Sequence, residues 1–191
     1  MDTDLRQFYL DQAHEHQLAD GVLDVFVDID GTMRGNGIAM DAEHVKTIVE
    51  CLSFFDRLIN VDIRFVETEF ESELSIHEAD PTVGYGGWSP NLANVAGLVH
   101  SKGLHDNNMY FMDSVNEDNF MRMVIYHEMA HIFGRKEHKY PFIVEPTETI
   151  MSYRYDGEFY GYTEDDVDFF LDKYGGVDEA LSLFDTHVLY S

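Results

Sequence analysis

Apolar residues along the chain follow two rhythms, one typical of strands and the other of amphipathic helices. Short β-branched or alternating runs predict five strands, at residues 22–27, 61–66, 73–78, 95–101 and 108–113. Apolar positions that recur about every 3.6 residues predict three helices, at residues 42–59, 120–133 and about 164–174. Glycine-punctuated segments at 28–37 and 80–94 are predicted to be turn and loop. This order of elements predicts a mixed α/β (α+β) fold.

Capping residues agree with the predicted helix ends. Asp41 precedes the first helix and Thr163 precedes the last, and both side chains can accept a hydrogen bond from a free backbone N–H. Ser114 and Glu117 have the spacing of a capping box before the middle helix. Gly134 follows that helix, where a glycine commonly ends it. The three helices therefore have both a rhythm and defined ends.

The domain organisation is predicted to be simple. No internal repeat, low-complexity tract or proline-rich linker divides the 191 residues. We expect a single domain, 1–191, with an upper part of about residues 1–134 and a lower part of about residues 135–191. A chain of this length can bury a substantial apolar core.

The charge balance limits the partners of the protein. With 37 acidic residues against 12 basic ones, the formal net charge is -25. Such a surface repels nucleic acid and anionic lipid, so we expect neither nucleic-acid nor membrane partners. A solubility or salt-adaptation surface is the favoured interpretation, and attraction of basic substrates is the alternative.

Compartment signals are sparse. No stretch approaches the roughly 18 to 20 apolar residues of a membrane span, and residues 1–20 lack the basic and apolar regions of a signal peptide. We therefore expect a cytoplasmic protein, with secretion by a non-classical route left open. Because Cys51 is the single cysteine, neither an intrachain disulfide nor a multi-cysteine zinc cluster can form.

The strongest chemical motif lies in the predicted helix at 120–133. The sequence His127-Glu128-Met129-Ala130-His131 places two histidines four residues apart, on one face of that helix. Two imidazoles at this spacing can bind one Zn²⁺ ion. Glu128, beside the first histidine, can act as the general base that activates a water molecule at the metal.

A second segment strengthens this interpretation. The motif continues to Gly134, and Thr149-Ile150-Met151-Ser152-Tyr153 follows downstream. Together they resemble the extended HExxHxxGxxH signature and the methionine turn of the metzincin zinc peptidases, in particular the serralysin and matrixin-like branches. The resemblance extends over nearly the whole chain in the order of the elements.

The resemblance implies a zinc-dependent endopeptidase that hydrolyses peptide bonds of peptide or protein substrates through a metal-activated water. It implies a twisted, mostly parallel sheet, an active-site helix and a C-terminal helical subdomain. It further implies that Tyr153 approaches the zinc and hydrogen-bonds the tetrahedral intermediate, and that an edge strand at about 97–101 pairs with the substrate.

The third zinc ligand departs from the family pattern. The usual position, three residues after Gly134, is occupied by Glu137, and His138 follows it. We favour His138, since zinc accepts nitrogen readily and a loop absorbs one extra residue. Glu137 as a carboxylate ligand and a weakened site with two firm ligands remain the alternatives.

Two other functions compete with the peptidase. The altered third ligand is compatible with a zinc-containing binding protein of the same fold that no longer cleaves. The segment from Asp28 to Thr32 has the DxDGT form of haloacid-dehalogenase-like phosphatases, in which an aspartate is the nucleophile. A plain acidic turn is the favoured interpretation of that segment.

Further polar residues have structural interpretations. For His77, His100 and His105, solvated or hydrogen-bonded side chains are favoured over a second metal site. Asp165, Asp166 and Asp168 fall in the first turn of the last helix, where acidic side chains interact favourably with the helix dipole.

Overall fold

The computed structural model describes residues 21–32, 37–80, 97–101, 107–111, 118–135 and 145–177. Within this part of the chain there are five strands: β1 (Val22–Val27), β2 (Asp62–Phe65), β3 (Leu74–Glu78), β4 (Gly97–Ser101) and β5 (Asn107–Phe111). The same residues form three α-helices: α1 (Ala42–Leu58), α2 (Asp118–Ile132) and α3 (Glu164–Tyr174). A 3₁₀ turn, Glu69–Glu71, precedes β3.

The strands form one sheet in the order β2-β1-β3-β5-β4. Four of them run parallel: β1 pairs with β2 and β3, and β3 pairs with β5. β4 lies antiparallel to β5 at one edge. β3 is buried at all five of its residues, as expected for a central parallel strand. The prediction of a mixed α/β fold with a mostly parallel sheet is confirmed.

An aromatic cluster joins the three helices. The rings of Phe55 on α1 and Phe133 after α2 stack with centroids 3.7 Å apart, and Phe170 on α3 meets Phe55 edge to face at 4.8 Å. All three side chains are completely buried. Burial of three phenylalanines contributes several kcal/mol and fixes the C-terminal end of α2 against α3.

The helix ends confirm two predicted caps. The Asp41 carboxylate accepts a hydrogen bond from a backbone N–H in the first turn of α1. Thr163 and Asp166 form a reciprocal capping box at the start of α3. The capping box predicted at Ser114 and Glu117 lies outside the described residues.

Element boundaries differ only slightly from the predicted ones. α2 begins at Asp118, two residues before the first apolar position of its predicted range, and β4 begins at Gly97. Such shifts are expected because apolar rhythm locates the middle of an element better than its ends. The division into an upper part, 1–134, and a lower part, 135–191, stays a prediction.

α1 is the longest described helix, with 17 residues, and one of its faces is buried in the core. Among the described helices, none has the combination of length and apolar character needed to cross a bilayer. The buried face of α1 includes Cys51, whose Sγ lies 3.3 Å from the hydroxyl of Tyr162. Tyr162 donates its own hydrogen bond to the backbone carbonyl of Tyr126, at 2.8 Å.

Burial of Cys51 predicts a dependence of stability on alkaline pH. Desolvation raises the pKa of the thiol from 9.0 to about 12, although the Tyr162 hydrogen bond lowers it in part. Above about pH 9 the unfolded chain therefore loses a proton that the folded chain keeps, so stability is lost as the pH rises. Between pH 8 and pH 10 this group is expected to cost about 1.4 kcal/mol.

Urea unfolding of the wild type and of Cys51→Ala at both pH values measures this contribution. The free energy of unfolding of Cys51→Ala is expected to fall less between pH 8 and pH 10, by about 1.4 kcal/mol. Burial also raises the pKa values of Tyr126, Tyr162 and Tyr174, and because these tyrosines are present in both proteins their contributions largely cancel in the difference. An equal fall in the two proteins would contradict a buried, protonated thiol.

Candidate functional site

Helix α2 brings the two motif histidines together. His127 and His131 lie on successive turns, and their ring centroids are 4.9 Å apart with the planes nearly perpendicular, at 85°. The two residues are only 7% and 5% exposed. Two buried imidazoles held face to edge at this distance can direct nitrogen atoms toward a common point.

Backbone carbonyls set the orientation of both rings. His127 donates from Nδ1 to the carbonyl of Ile150 at 2.9 Å, and His131 donates from Nδ1 to the carbonyl of Arg135 at 2.8 Å. A carbonyl oxygen can only accept, so each Nδ1 carries the proton. In the neutral ring the Nε2 atom then has the lone pair that a metal ion requires. This pairing of ring N–H and backbone carbonyl is typical of metal-binding histidines.

The donor set fits zinc as far as the described residues extend. Two imidazole nitrogens are ordinary zinc ligands, and a tetrahedral site needs further ones. Within the described ranges, no group of three or more His, Cys, Asp or Glu side chains is arranged to hold a metal ion. Glu137 and His138, the two candidates for the third ligand, lie outside these ranges, so the third ligand stays a prediction.

The methionine segment lies directly against the first histidine. The backbone N–H of Ser152 donates to the carbonyl of Thr149 at 3.2 Å, which closes a tight turn. Met151 is 2% exposed and belongs to the core, while the carbonyl of Ile150 accepts the hydrogen bond from His127. The segment that resembles a methionine turn is therefore a turn in the structure, and it supports the motif helix.

The two predicted catalytic residues differ in what the structure shows of them. Glu128 follows His127 on α2 and is 8% exposed. The ring of Tyr153 lies 5.5 Å from that of His127 between centroids, and the residue is 41% exposed. A buried glutamate that follows His127 in the helix suits a general base, and a partly exposed tyrosine whose ring lies beside His127 suits a hydrogen-bond donor to substrate.

Gly134 ends α2 as predicted, with a positive φ of 85°. The chain turns there so that the N–H of Arg135 donates to the carbonyl of Ala130 at 2.8 Å. An added Cβ at Gly134 would lie 1.8 Å from Nζ of Lys173, the end of a flexible side chain that can move aside, so the positive φ is the main reason for glycine here. The turn brings the carbonyl of Arg135 within hydrogen-bond distance of Nδ1 of His131.

Asp166 has a larger role than its sequence position indicated. It was predicted to interact with the dipole of its own helix, but its side chain is completely buried. It accepts hydrogen bonds from the hydroxyl of Thr149 at 2.7 Å and from the N–H of Ile150 at 2.8 Å. The spacing Thr163-x-x-Asp166 signals the capping box, but no local pattern reveals partners more than a dozen residues upstream.

Asp28, the first residue of the DxDGT segment, forms a buried pair with His77, separate from the two motif histidines. His77 donates from Nδ1 to Asp28 at 3.1 Å, and the backbone N–H of Thr32 donates to the same carboxylate at 3.1 Å. Asp28 is 2% exposed, which suits a structural carboxylate better than a nucleophile that must reach a phosphate ester. The prediction of a hydrogen-bonded His77 is confirmed, and the side chains of His100 and His105 lie outside the described set.

Comparisons of the chain with models of known protein families and with curated proteins give no match.

Proposed function

We propose that the protein is a zinc-dependent endopeptidase with a metzincin-like catalytic domain. The observation that carries the proposal is the pair His127 and His131, each with Nδ1 bonded to a backbone carbonyl and therefore in the tautomer whose Nε2 carries the lone pair. An HExxH sequence found by chance on a helix does not require this orientation of both rings. The turn around Met151 and the position of Tyr153 add support.

His127, His131 and His138 are the proposed zinc ligands, and Glu137 is the alternative to His138. When bound, zinc supplies Lewis acidity, which lowers the pKa of a coordinated water and polarises the carbonyl of the scissile bond. The chain's own contribution is to hold two imidazoles in a fixed tautomer in a site largely shielded from solvent.

Glu128 is the proposed general base. Its carboxylate takes a proton as the water oxygen bonds to the carbonyl carbon, and it returns that proton to the leaving amine as the C–N bond breaks. The Tyr153 hydroxyl is the proposed donor to the oxygen that gains negative charge, because its ring lies beside His127 and is partly open to solvent. No covalent intermediate with the protein forms.

The proposed substrate is an extended peptide or a protein segment. β4 lies at the edge of the sheet, where backbone groups on its outer side suit pairing with an extended chain. A net charge of -25 makes nucleic acid an unfavourable partner and leaves a basic peptide electrostatically acceptable.

The second candidate is a zinc-containing binding protein of the same fold, favoured by the departure at Glu137 and His138 from the family spacing. Both the peptidase and the binding protein would hold zinc, but only the peptidase would cleave a peptide. Asp28 is buried and hydrogen-bonded, which does not support the phosphatase interpretation, because a nucleophile must be accessible to the phosphate ester.

Removal and return of the metal test the proposed function. Treatment with 1,10-phenanthroline is expected to abolish cleavage of an unfolded protein substrate, and an equimolar zinc addition after dialysis is expected to restore it. The non-chelating isomer 1,7-phenanthroline is the matched control. Cleavage that persists in metal-free protein would contradict a zinc peptidase, and zinc binding without any cleavage would favour the binding protein.

A further inference from the structure

The carboxylate of Asp166 joins three segments of the chain. Thr149 and Ile150 donate to it at 2.7 and 2.8 Å, and the N–H of Thr163 donates to it at 3.1 Å within the capping box. Arg135 forms an ion pair with it, with Nε 3.4 Å from Oδ1. Asp166 thus contacts the methionine segment, the start of α3 and the residue that follows the turn at the end of α2.

The partners of Asp166 are the residues that orient the two histidines. The carbonyl that accepts from His127 belongs to Ile150, and the carbonyl that accepts from His131 belongs to Arg135. Asp166 binds the backbone N–H of the first residue and the guanidinium of the second. The Asp166 carboxylate therefore contacts both of the residues whose carbonyls orient the histidine rings.

Helix capping alone does not explain this arrangement. A capping box requires only that the carboxylate accept a hydrogen bond from the N-cap N–H. Asp165 and Asp168 lie in the same turn, are exposed, and already provide negative charge at the helix start. Asp166 is instead 0% exposed, and burying a carboxylate is costly unless several donors compensate it.

We propose that Asp166 is a positioning residue of the zinc centre, which fixes His127 through Ile150 and His131 through Arg135. The inference rests on the proposed zinc function. Additional contacts hold Arg135 in place: Nη1 donates to the carbonyl of Asp165 at 3.1 Å, and the guanidinium lies 4.9 Å from the ring centroid of Phe169. Loss of the Asp166 charge frees both carbonyls to shift, and the imidazoles shift with them.

The test compares Asp166→Asn with Asp168→Asn, which makes the same charge change at an exposed position of the same helix. Zinc affinity is measured by competition with a chromogenic chelator, and ligand geometry is measured from the visible absorption of the cobalt-substituted proteins. Asp166→Asn is expected to bind zinc about 10 to 100-fold more weakly and to shift the cobalt bands. Asp168→Asn is expected to match the wild type in both.

A merely structural role for Asp166 makes a different prediction. Thermal unfolding of the metal-free Asp166→Asn protein would then show lower stability, while the folded protein would bind zinc and cobalt as the wild type does. That result would overturn the proposal. A wild type that binds no zinc would overturn the proposed function and this inference together, whereas normal binding by both variants overturns the inference alone.

A second variant covers the case in which Asp166→Asn does not fold. Arg135→Gln removes the ion pair on the His131 side, together with the guanidinium contacts to Asp165 and Phe169, and leaves the backbone carbonyl and the capping box in place. It is expected to weaken zinc binding by up to about 10-fold and to alter the cobalt spectrum. Wild-type affinity and spectrum in a folded Arg135→Gln protein would contradict the coupling.

Discussion

Replacement of Glu128 with glutamine is expected to lower peptide hydrolysis by about 10² to 10⁴-fold while zinc remains bound. Glutamine has nearly the same shape as glutamate but cannot accept the proton of the attacking water. The neighbouring histidines keep their carbonyl partners, so the metal affinity is expected to change little. The loss therefore falls on the rate constant of the chemical step.

Mass-spectrometric detection of cleavage in a diverse peptide library measures this effect and reports the sequence preference as well. Wild type and Glu128→Gln are compared at equal zinc content. The control is Glu43→Gln, the same substitution at a side chain on α1 that is 71% exposed, and it is expected to cleave as the wild type does. Equal cleavage by Glu128→Gln would rule out this residue as the general base.

The second large effect is expected on metal binding. His127→Ala and His131→Ala each remove one nitrogen ligand, so zinc affinity is expected to fall by more than about 100-fold. Substitution of a residue that only hydrogen-bonds a metal ligand typically lowers metal affinity by about 10 to 100-fold. Both side chains are buried, at 7% and 5% exposure, so some stability is lost as well. Circular dichroism establishes that the variants are folded before the metal is measured.

Zinc per chain, determined by elemental mass spectrometry after dialysis, gives the outcome. The wild type is expected to retain one zinc, and the two variants are expected to retain little. His187→Ala, which removes a histidine with no proposed role, is the control and is expected to keep the metal. Retention of zinc by both His127→Ala and His131→Ala would place any metal at another site.

The sheet and helices could be predicted because their signals are local. Apolar spacing gave the 3.6-residue rhythm of the helices and the short runs of the strands, and caps such as Asp41 and Thr163 marked helix starts. Strand order is different, since pairing of β1 with β3 depends on contacts across some 50 residues. No local pattern contains that information.

The site shows the same limit. The HExxH spacing brings His127 and His131 to one face of a helix by geometry alone. The two rings bond to the carbonyls of Ile150 and Arg135, and these contacts depend on how a distant turn packs. Every residue has a backbone carbonyl, so the sequence does not indicate which carbonyl a histidine will bind. From the sequence, Asp166 was expected only to interact with the dipole of its own helix, because the partners of its carboxylate lie on other segments of the chain.

The zinc centre itself is tested most directly by anomalous diffraction at the zinc absorption edge from crystals of the zinc-loaded protein. A single peak is expected about 2.0 to 2.1 Å from Nε2 of both His127 and His131, with His138 as the third protein ligand. A peak bound by Glu137 in place of His138 would correct the third ligand only. Full zinc occupancy at a site remote from His127 and His131 would contradict the proposed centre and the peptidase built on it.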